Sequence, residues 1–290
     1  MNARFRGGPG VAPSRPRKEL GQHFLTDSDA LQQIVAAAAL QPDEAVLEIG
    51  AGSGELTAAL LGAGSTILAV ELDEALCRVL RKRFSDQPTV HVVNANVLDY
   101  APAELLAEAG LPPPYVVVAN IPYYITAPIL RHFLETSQPP RRLILTVQRE
   151  VAEALAAGAG RMTLLGASVQ FYATVELLLR LKPQSFTPPP KVDSAVVRVT
   201  PASAPRSSVE DVSAFFDVLR AGFRAPRKQL HNALSRGLWM PPGEAAPLLR
   251  DAGIDPERRA QTLSLDEWAA LARSYRLRRL QWQRAADADA

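Results

Sequence analysis

The sequence predicts an α/β protein whose mostly parallel sheet is covered by helices, followed by a small all-helical domain. Three observations predict it. Short apolar runs alternate with segments of helical period between residues 45 and 157. The first run ends in a cluster of glycines that opens directly into a helix. After Thr200 the strand pattern fades and only helical periodicity remains. Strands separated by helices pair in parallel, and both faces of the sheet are then buried.

The elements follow in order. Met1–Arg17 is rich in Gly, Pro and Arg and is expected to be a flexible basic arm. Ser28–Leu40 has a helical pattern, with Ser28 or Asp29 as its cap. Ala45–Gly50 is a buried strand, Glu55–Leu61 a helix, Ile67–Glu71 a strand and Glu74–Phe84 a helix. Val90–Asn94, Tyr115–Ala119 and Leu143–Val147 are further strands, the last two followed by helices at Pro128–Leu134 and Arg149–Ala157. Arg161–Ala173 is a helix, with later strands at Val175–Lys182 and Ala195–Val199. The helical remainder comprises Val209–Phe223, Arg227–Gly237, Gly243–Ala252 and Ser264–Arg279. A linker near Pro201–Ser207 separates an 18–200 catalytic domain from a 201–290 helical domain.

Composition narrows the function classes. With 47% hydrophobic residues in 290, a sizeable core is available and disorder is excluded for most of the length. No run of 18 apolar residues exists, so no transmembrane helix is expected, and residues 1–18 lack a signal-type apolar stretch. Cys77 alone cannot form an internal disulfide and fits a reducing cytoplasm. Net charge is +2, but it is unevenly placed. Residues 1–18 hold five bases and no acid; residues 19–200 hold 13 bases and 19 acids; residues 201–290 hold 14 bases and 11 acids. Basic ends of this kind attract phosphate backbones, although ordinary surface charge reads the same way. The four histidines show no metal-ligand spacing.

Glu48-Ile49-Gly50-Ala51-Gly52-Ser53-Gly54 lies between a strand and a helix. Glycines there let backbone approach a ligand closely. A dinucleotide fingerprint would be G-x-G-x-x-G, but the third glycine comes one residue early and Glu55 takes its place. The spacing favours a nucleoside-methionine cofactor, which needs no phosphate cradle. Glu71 ends the second strand, where a carboxylate can accept both ribose hydroxyls.

The fourth strand delivers Asn120-Ile121-Pro122-Tyr123-Tyr124. An exocyclic adenine amine is a poor nucleophile because its lone pair is delocalised into the ring. The Asn120 side-chain oxygen and the Ile121 carbonyl can each accept one N–H, which localises the lone pair and aims it. Pro122 stiffens the turn, and Tyr123 offers a face for an extruded base.

These motifs, with others, resemble the ribosomal RNA adenine dimethyltransferase family of the small-subunit type. Lys18–Leu25 is similar to its opening K-x-x-G-Q-(N/H)-F-L, and Asn120–Tyr123 to N-(I/L)-P-Y. Gln148–Ala152 and Phe186–Ser194 (FTPPPKVDS) resemble two further stretches, and Phe223–Leu234 (FRAPRKQLHNAL) a C-terminal one. The resemblance implies a Rossmann-like class I methyltransferase fold and S-adenosyl-L-methionine as cofactor. It implies that His23 and Leu25 line the cofactor site with Gly50, Gly52, Glu71, Asn96 and Asn120. It implies that Tyr123 and Phe186 sandwich the target adenine, and that a basic helix with Arg224, Arg227 and Lys228 touches RNA phosphate. The implied product is N6,N6-dimethyladenosine at two adjacent adenosines in the 3′-terminal hairpin loop of 16S rRNA, in the 30S subunit or its precursor. A cytoplasmic monomer is expected.

Two positions depart from the family pattern. Asn96 stands where Asp usually accepts the cofactor's adenine amine, and His23 replaces a common Asn. An Asn oxygen still accepts, without the charge. Two alternatives use the same residues: a 23S rRNA adenine methyltransferase conferring macrolide resistance, and a non-catalytic RNA-binding assembly factor.

Overall fold

The computed structural model describes residues 23–42, 44–111, 113–203 and 211–288. The arm Met1–Arg17, the stretch Lys18–Gln22 and part of the linker lie outside them. Two compact units result. The first takes the described residues up to Ala152 together with Thr174–Pro201; the second takes Glu153–Ala173 and the described residues from Ala202 onward.

The first unit opens with a two-residue strand β1 (Phe24–Leu25) and helix α1 (Ser28–Ala38). The cap of α1 is Asp27, not Ser28 or Asp29: its carboxylate accepts from the Asp29 and Ala30 amides, each at 3.1 Å. Then come β2 (Ala45–Ile49), α2 (Glu55–Gly62), β3 (Thr66–Glu71), α3 (Glu74–Arg83) and β4 (Val90–Asn94). A helix absent from the sequence reading, α4 (Pro102–Glu108), starts on Pro102, whose missing N–H costs nothing in a first turn. β5 (Tyr115–Asn120), α5 (Thr126–Leu134), β6 (Leu143–Gln148) and α6 (Arg149–Leu155) follow. α5 begins two residues before the expected Pro128, which its first turn tolerates for the same reason.

After α7 (Leu164–Tyr172) come β7 (Ala173–Leu181), β8 (Phe186–Thr187) and β9 (Ser194–Pro201). The seven-stranded sheet runs β4-β3-β2-β5-β6-β9-β7. β4, β3, β2, β5 and β6 are mutually parallel, and β9 runs antiparallel to β6. Every residue of β2 is buried, as both-face coverage requires, whereas edge strand β4 is only half-buried. The chain runs outward from β2 through β3 to β4, then returns to β5 on the other side. That reversal makes the carboxyl ends of β2 and β5 the switch point where such sheets bind ligands.

The second unit is helical: α7, α8 (Val212–Phe223), α9 (Leu230–Gly237), α10 (Ala245–Asp251) and α11 (Leu265–Ala288). Its core joins Met162, Ala167 and Phe171 to Phe215, Leu248, Trp268 and Leu271, with the Phe171 and Phe215 rings stacked at 4.3 Å. The Glu153–Ala173 segment, expected inside the catalytic domain, therefore belongs with the helical unit because it buries its apolar side there.

The basic helix expected over Arg227–Gly237 begins only at Leu230. The chain turns first: the Lys228 amide bonds the Ala225 carbonyl at 2.9 Å, and Gln229, the residue before the helix, is extended at ψ 148°. Arg224, Arg227 and Lys228 accordingly lie in the turn between α8 and α9, all exposed. Among the described residues no helix is long and apolar enough to cross a membrane, and no group of His, Cys, Asp or Glu is placed to hold a metal.

Candidate active site

A cavity opens at the carboxyl ends of the central strands. The glycine loop after β2, Glu71 to Asp73 after β3, Ala95 to Val97 after β4 and Asn120 to Ile125 after β5 line it, and His23 and Phe24 form a further wall. Among the described residues, its lining holds the carboxylates Glu71 and Asp73 and no Lys or Arg.

Glu71 organises the floor. One carboxylate oxygen accepts from the Gly52 amide and the other from the Asp73 amide, each at 2.9 Å. The side chain is nearly buried, and desolvation raises its pKa despite these bonds. Each oxygen keeps a second lone pair for a ligand hydroxyl. Gly52 sits at φ +58°, and a Cβ there would meet two Phe24 ring atoms at 2.8 Å. No side chain fits between the loop and that ring. Phe24 was not among the residues singled out in the sequence, though it lies inside the motif that contains His23.

Asn120 ends β5. Its Nδ2 donates to the His23 backbone carbonyl at 2.9 Å. A carbonyl cannot donate, so the amide has one allowed orientation, with nitrogen toward His23 and oxygen on the opposite side. The His23 ring in turn is held by the Pro188 carbonyl, 2.7 Å from Nδ1, which fixes the proton on that nitrogen. His23 also lies parallel to Tyr123, with centroids 6.3 Å apart. The Tyr123 hydroxyl bonds the fully buried Ser194 at 2.7 Å, and burial raises its pKa. FTPPPKVDS therefore braces two walls: Pro188 holds His23, and Ser194 holds Tyr123.

Asn96 lines the cavity, and its side chain is already engaged. The oxygen caps the Leu98 amide at 3.3 Å, and the Nδ2 donates to Asp99 at 2.9 Å. Gly50, Ile121 and Pro122 line the cavity as well.

Two expected residues do not. Leu25 is 4% exposed and Phe186 2%, paired with each other across β1 and β8 and packed in the core with Leu181 and Ile34. Alternation along a two-residue strand sends Leu25 inward and leaves Phe24 at the cavity. Phe186 is buried and does not line the cavity as Tyr123 does, so the structure does not itself bring the expected Tyr123–Phe186 pair together there. Arg224, Arg227 and Lys228 belong to the helical unit, as described above.

Glu48, one residue before the loop, is also buried, and Thr57 donates to it at 2.7 Å. Desolvation, with the nearby Glu71 charge, pushes its carboxyl up to about 8. It is a neutral acid beneath the glycine loop at pH 7.

The family model for ribosomal RNA adenine dimethylase matches residues 14–276. A Dehalococcoides mccartyi protein named ribosomal RNA small subunit methyltransferase A is 43% identical over 262 residues, covering 90% of this chain and 89% of that one. A protein of the same name from Geobacter metallireducens is 40% identical over 263 residues, covering 90% and 95%. Among solved structures, the 23S rRNA methyltransferase ErmE is similar with TM-score 0.67 and 27% identity, over 87% of this chain and 98% of its own. A dimethyladenosine transferase from Plasmodium falciparum shares the fold with TM-score 0.73 at 23% identity, over 88% and 98%. A glycine loop tied to a strand-end carboxylate, an Asn-Ile-Pro-Tyr strand tip facing the same cavity, and a family match spanning both units lead to one conclusion: the chain belongs to the ribosomal RNA adenine dimethylase family of methyltransferases.

Proposed function

We propose that the protein transfers methyl groups from S-adenosyl-L-methionine to the N6 amines of two adjacent adenosines in the 3′-terminal hairpin loop of 16S rRNA, within the 30S subunit or its precursor. The observation that carries this reading is the fixed orientation of the Asn120 amide, whose nitrogen is taken by the His23 carbonyl and whose oxygen is left as an acceptor, in a cavity that Tyr123 also lines.

The cavity suits that cofactor. Among the described residues its lining has two carboxylates and no Lys or Arg, which disfavours a dinucleotide's phosphates and favours a cationic ligand. Glu71 would take the ribose hydroxyls, Asn96 the adenine amine, and the Gly50–Gly52 backbone the close approach. The bound cofactor supplies a methyl group already activated on a sulfonium.

The chain's own residues do the rest. Asn120 Oδ1 and the Ile121 carbonyl accept the two N–H bonds of the target amine, which raises its lone pair out of conjugation and points it inward. Tyr123 stacks the extruded base, its ring held by Ser194. The exposed turn with Arg224, Arg227 and Lys228 contacts RNA phosphate.

Identity of 40–43% to small-subunit methyltransferases, against 27% to ErmE, favours the small-subunit target over the 23S one. The test is methylation of 30S particles lacking the modification, with 50S particles in a parallel reaction and mass mapping of both RNAs. Dimethyladenosine at two neighbouring 16S positions is expected. Methylation of 23S RNA alone, or none, refutes the proposal.

A further inference from the structure

A second cavity, of about 800 Å³, lies entirely within the helical unit. Helical spacing builds it. Asp217, Arg220, Ala221 and Arg224 follow one face of α8 into its C-terminal turn, and Tyr275, Arg279 and Gln283 repeat every fourth residue on α11. The end of α9 closes it with Gly237, Leu238 and Trp239. Gly237 makes that closure possible, because a Cβ there would stand 2.7 Å from the Ala221 Cβ. The Leu238 amide bonds the Leu234 carbonyl at 2.9 Å, so the chain is anchored one residue before Trp239.

The lining has three arginines against one aspartate. Asp217 is shared, 2.9 Å from Arg220 and 3.9 Å from Arg279, and Arg224 has no acidic partner among the described residues. Beside these cations stands Trp239, 59% exposed, while Trp268 of the same unit is fully buried. An exposed indole at a concave, cationic site is a poor design for a bare surface and a good one for a flat anionic ligand. The volume falls within the roughly 300–1,000 Å³ of ordinary ligand sites.

We infer that this groove binds one unpaired nucleotide of the RNA substrate, with the base stacked on Trp239 and the phosphates met by Arg224 and Arg279. The inference rests on the reading that the substrate is RNA. Indole stacking accepts any base, and guanidinium groups match phosphate oxygens in pairs. The site therefore selects for an extruded nucleotide rather than for a sequence. It would add a grip on RNA that is separate in residues from the catalytic cavity.

The probe is a labelled RNA hairpin with a single-purine bulge, compared with the same hairpin fully paired, and titrated against the full-length protein. The parent is expected to prefer the bulged hairpin and to show quenched tryptophan emission on binding it. Trp239→Ala should lose that preference, with affinity for the bulged RNA reduced on the order of ten-fold. Trp239→Phe should keep most of it, since a smaller ring still stacks. Arg224→Ala should lower the slope of log affinity against log salt by about 0.7 to 0.9. Equal affinity of the parent for both hairpins, or an unchanged preference in Trp239→Ala, overturns the inference. So does tighter binding of a poly-glutamate peptide than of the bulged hairpin. Methylation of 30S particles is measured on the same preparations: a protein that methylates them yet shows no bulge preference keeps its function and loses this site.

Discussion

Gly52→Ala tests whether the glycine loop is held as tightly as its surroundings imply. At φ +58° an L-residue costs about 1–2 kcal/mol more than glycine. The new Cβ would also lie 2.8 Å from two Phe24 ring atoms, against an ordinary carbon contact of about 3.5–4.0 Å. Loop or ring must yield by roughly 0.7 Å or more. If the loop yields, the 2.9 Å bond from the Gly52 amide to Glu71 stretches, and weakening a bond to a buried carboxylate costs about 1–3 kcal/mol. The expected loss is about 2–5 kcal/mol in urea-induced unfolding, with cofactor affinity down ten-fold or more by calorimetry. Gly52→Ala combined with Phe24→Ala relieves the steric part only. The pair should therefore be less destabilised than the sum of the single variants by about 1–2 kcal/mol. A Gly52→Ala protein within about 0.5 kcal/mol of its parent, or a strictly additive pair, would refute the reasoning.

Three further expectations follow from the same geometry. Asn120→Ala removes the acceptor for the amine, so turnover on 30S particles should fall about 10²–10³-fold while RNA binding moves little; near-parental turnover discards the proposed role. Ser194→Ala frees the Tyr123 hydroxyl from its 2.7 Å partner, and Tyr123→Phe should reproduce the resulting several-fold loss of turnover at unchanged cofactor affinity; full activity in both removes Ser194 from the positioning of the ring. Glu48 titrates near 4.5 when unfolded and about 8 when folded. Between those values the folded chain holds the extra proton, so its contribution to stability is complete below about 4.5 and is lost as pH rises through about 8. Glu48→Gln keeps an acceptor for Thr57 and should flatten the decline in urea stability between pH 5 and pH 8.5; parallel profiles for parent and variant contradict the assignment.

Much of the molecule was legible because its signals are local. Apolar runs such as Ala45–Ile49 and Tyr115–Asn120 announce strands buried on both faces. Glycines at 50, 52 and 54 announce a backbone at positive φ, which other residues rarely adopt. Asp27 as the cap of α1 was legible too, an acid one residue before Ser28. The late start of α9 was not, because Pro226 suits the start of a helix as well as it suits a turn.

Other features have no local signal. Whether Leu25 or Phe24 faces the cavity depends on β8 pairing with β1 from more than 150 residues away in the chain. The burial of Phe186 follows from that same pairing. The grouping of Glu153–Ala173 with the helical unit depends on Phe171 finding Phe215. The sequence by itself determined the order of strands and helices, the glycine loop and the Asn-Ile-Pro-Tyr tip, since each arises from neighbours within a few positions. Only the tertiary structure decided which way the Asn120 amide turns. An isolated amide rotates freely between two nearly equal shapes, and the carbonyl that selects one lies 97 residues earlier in the chain.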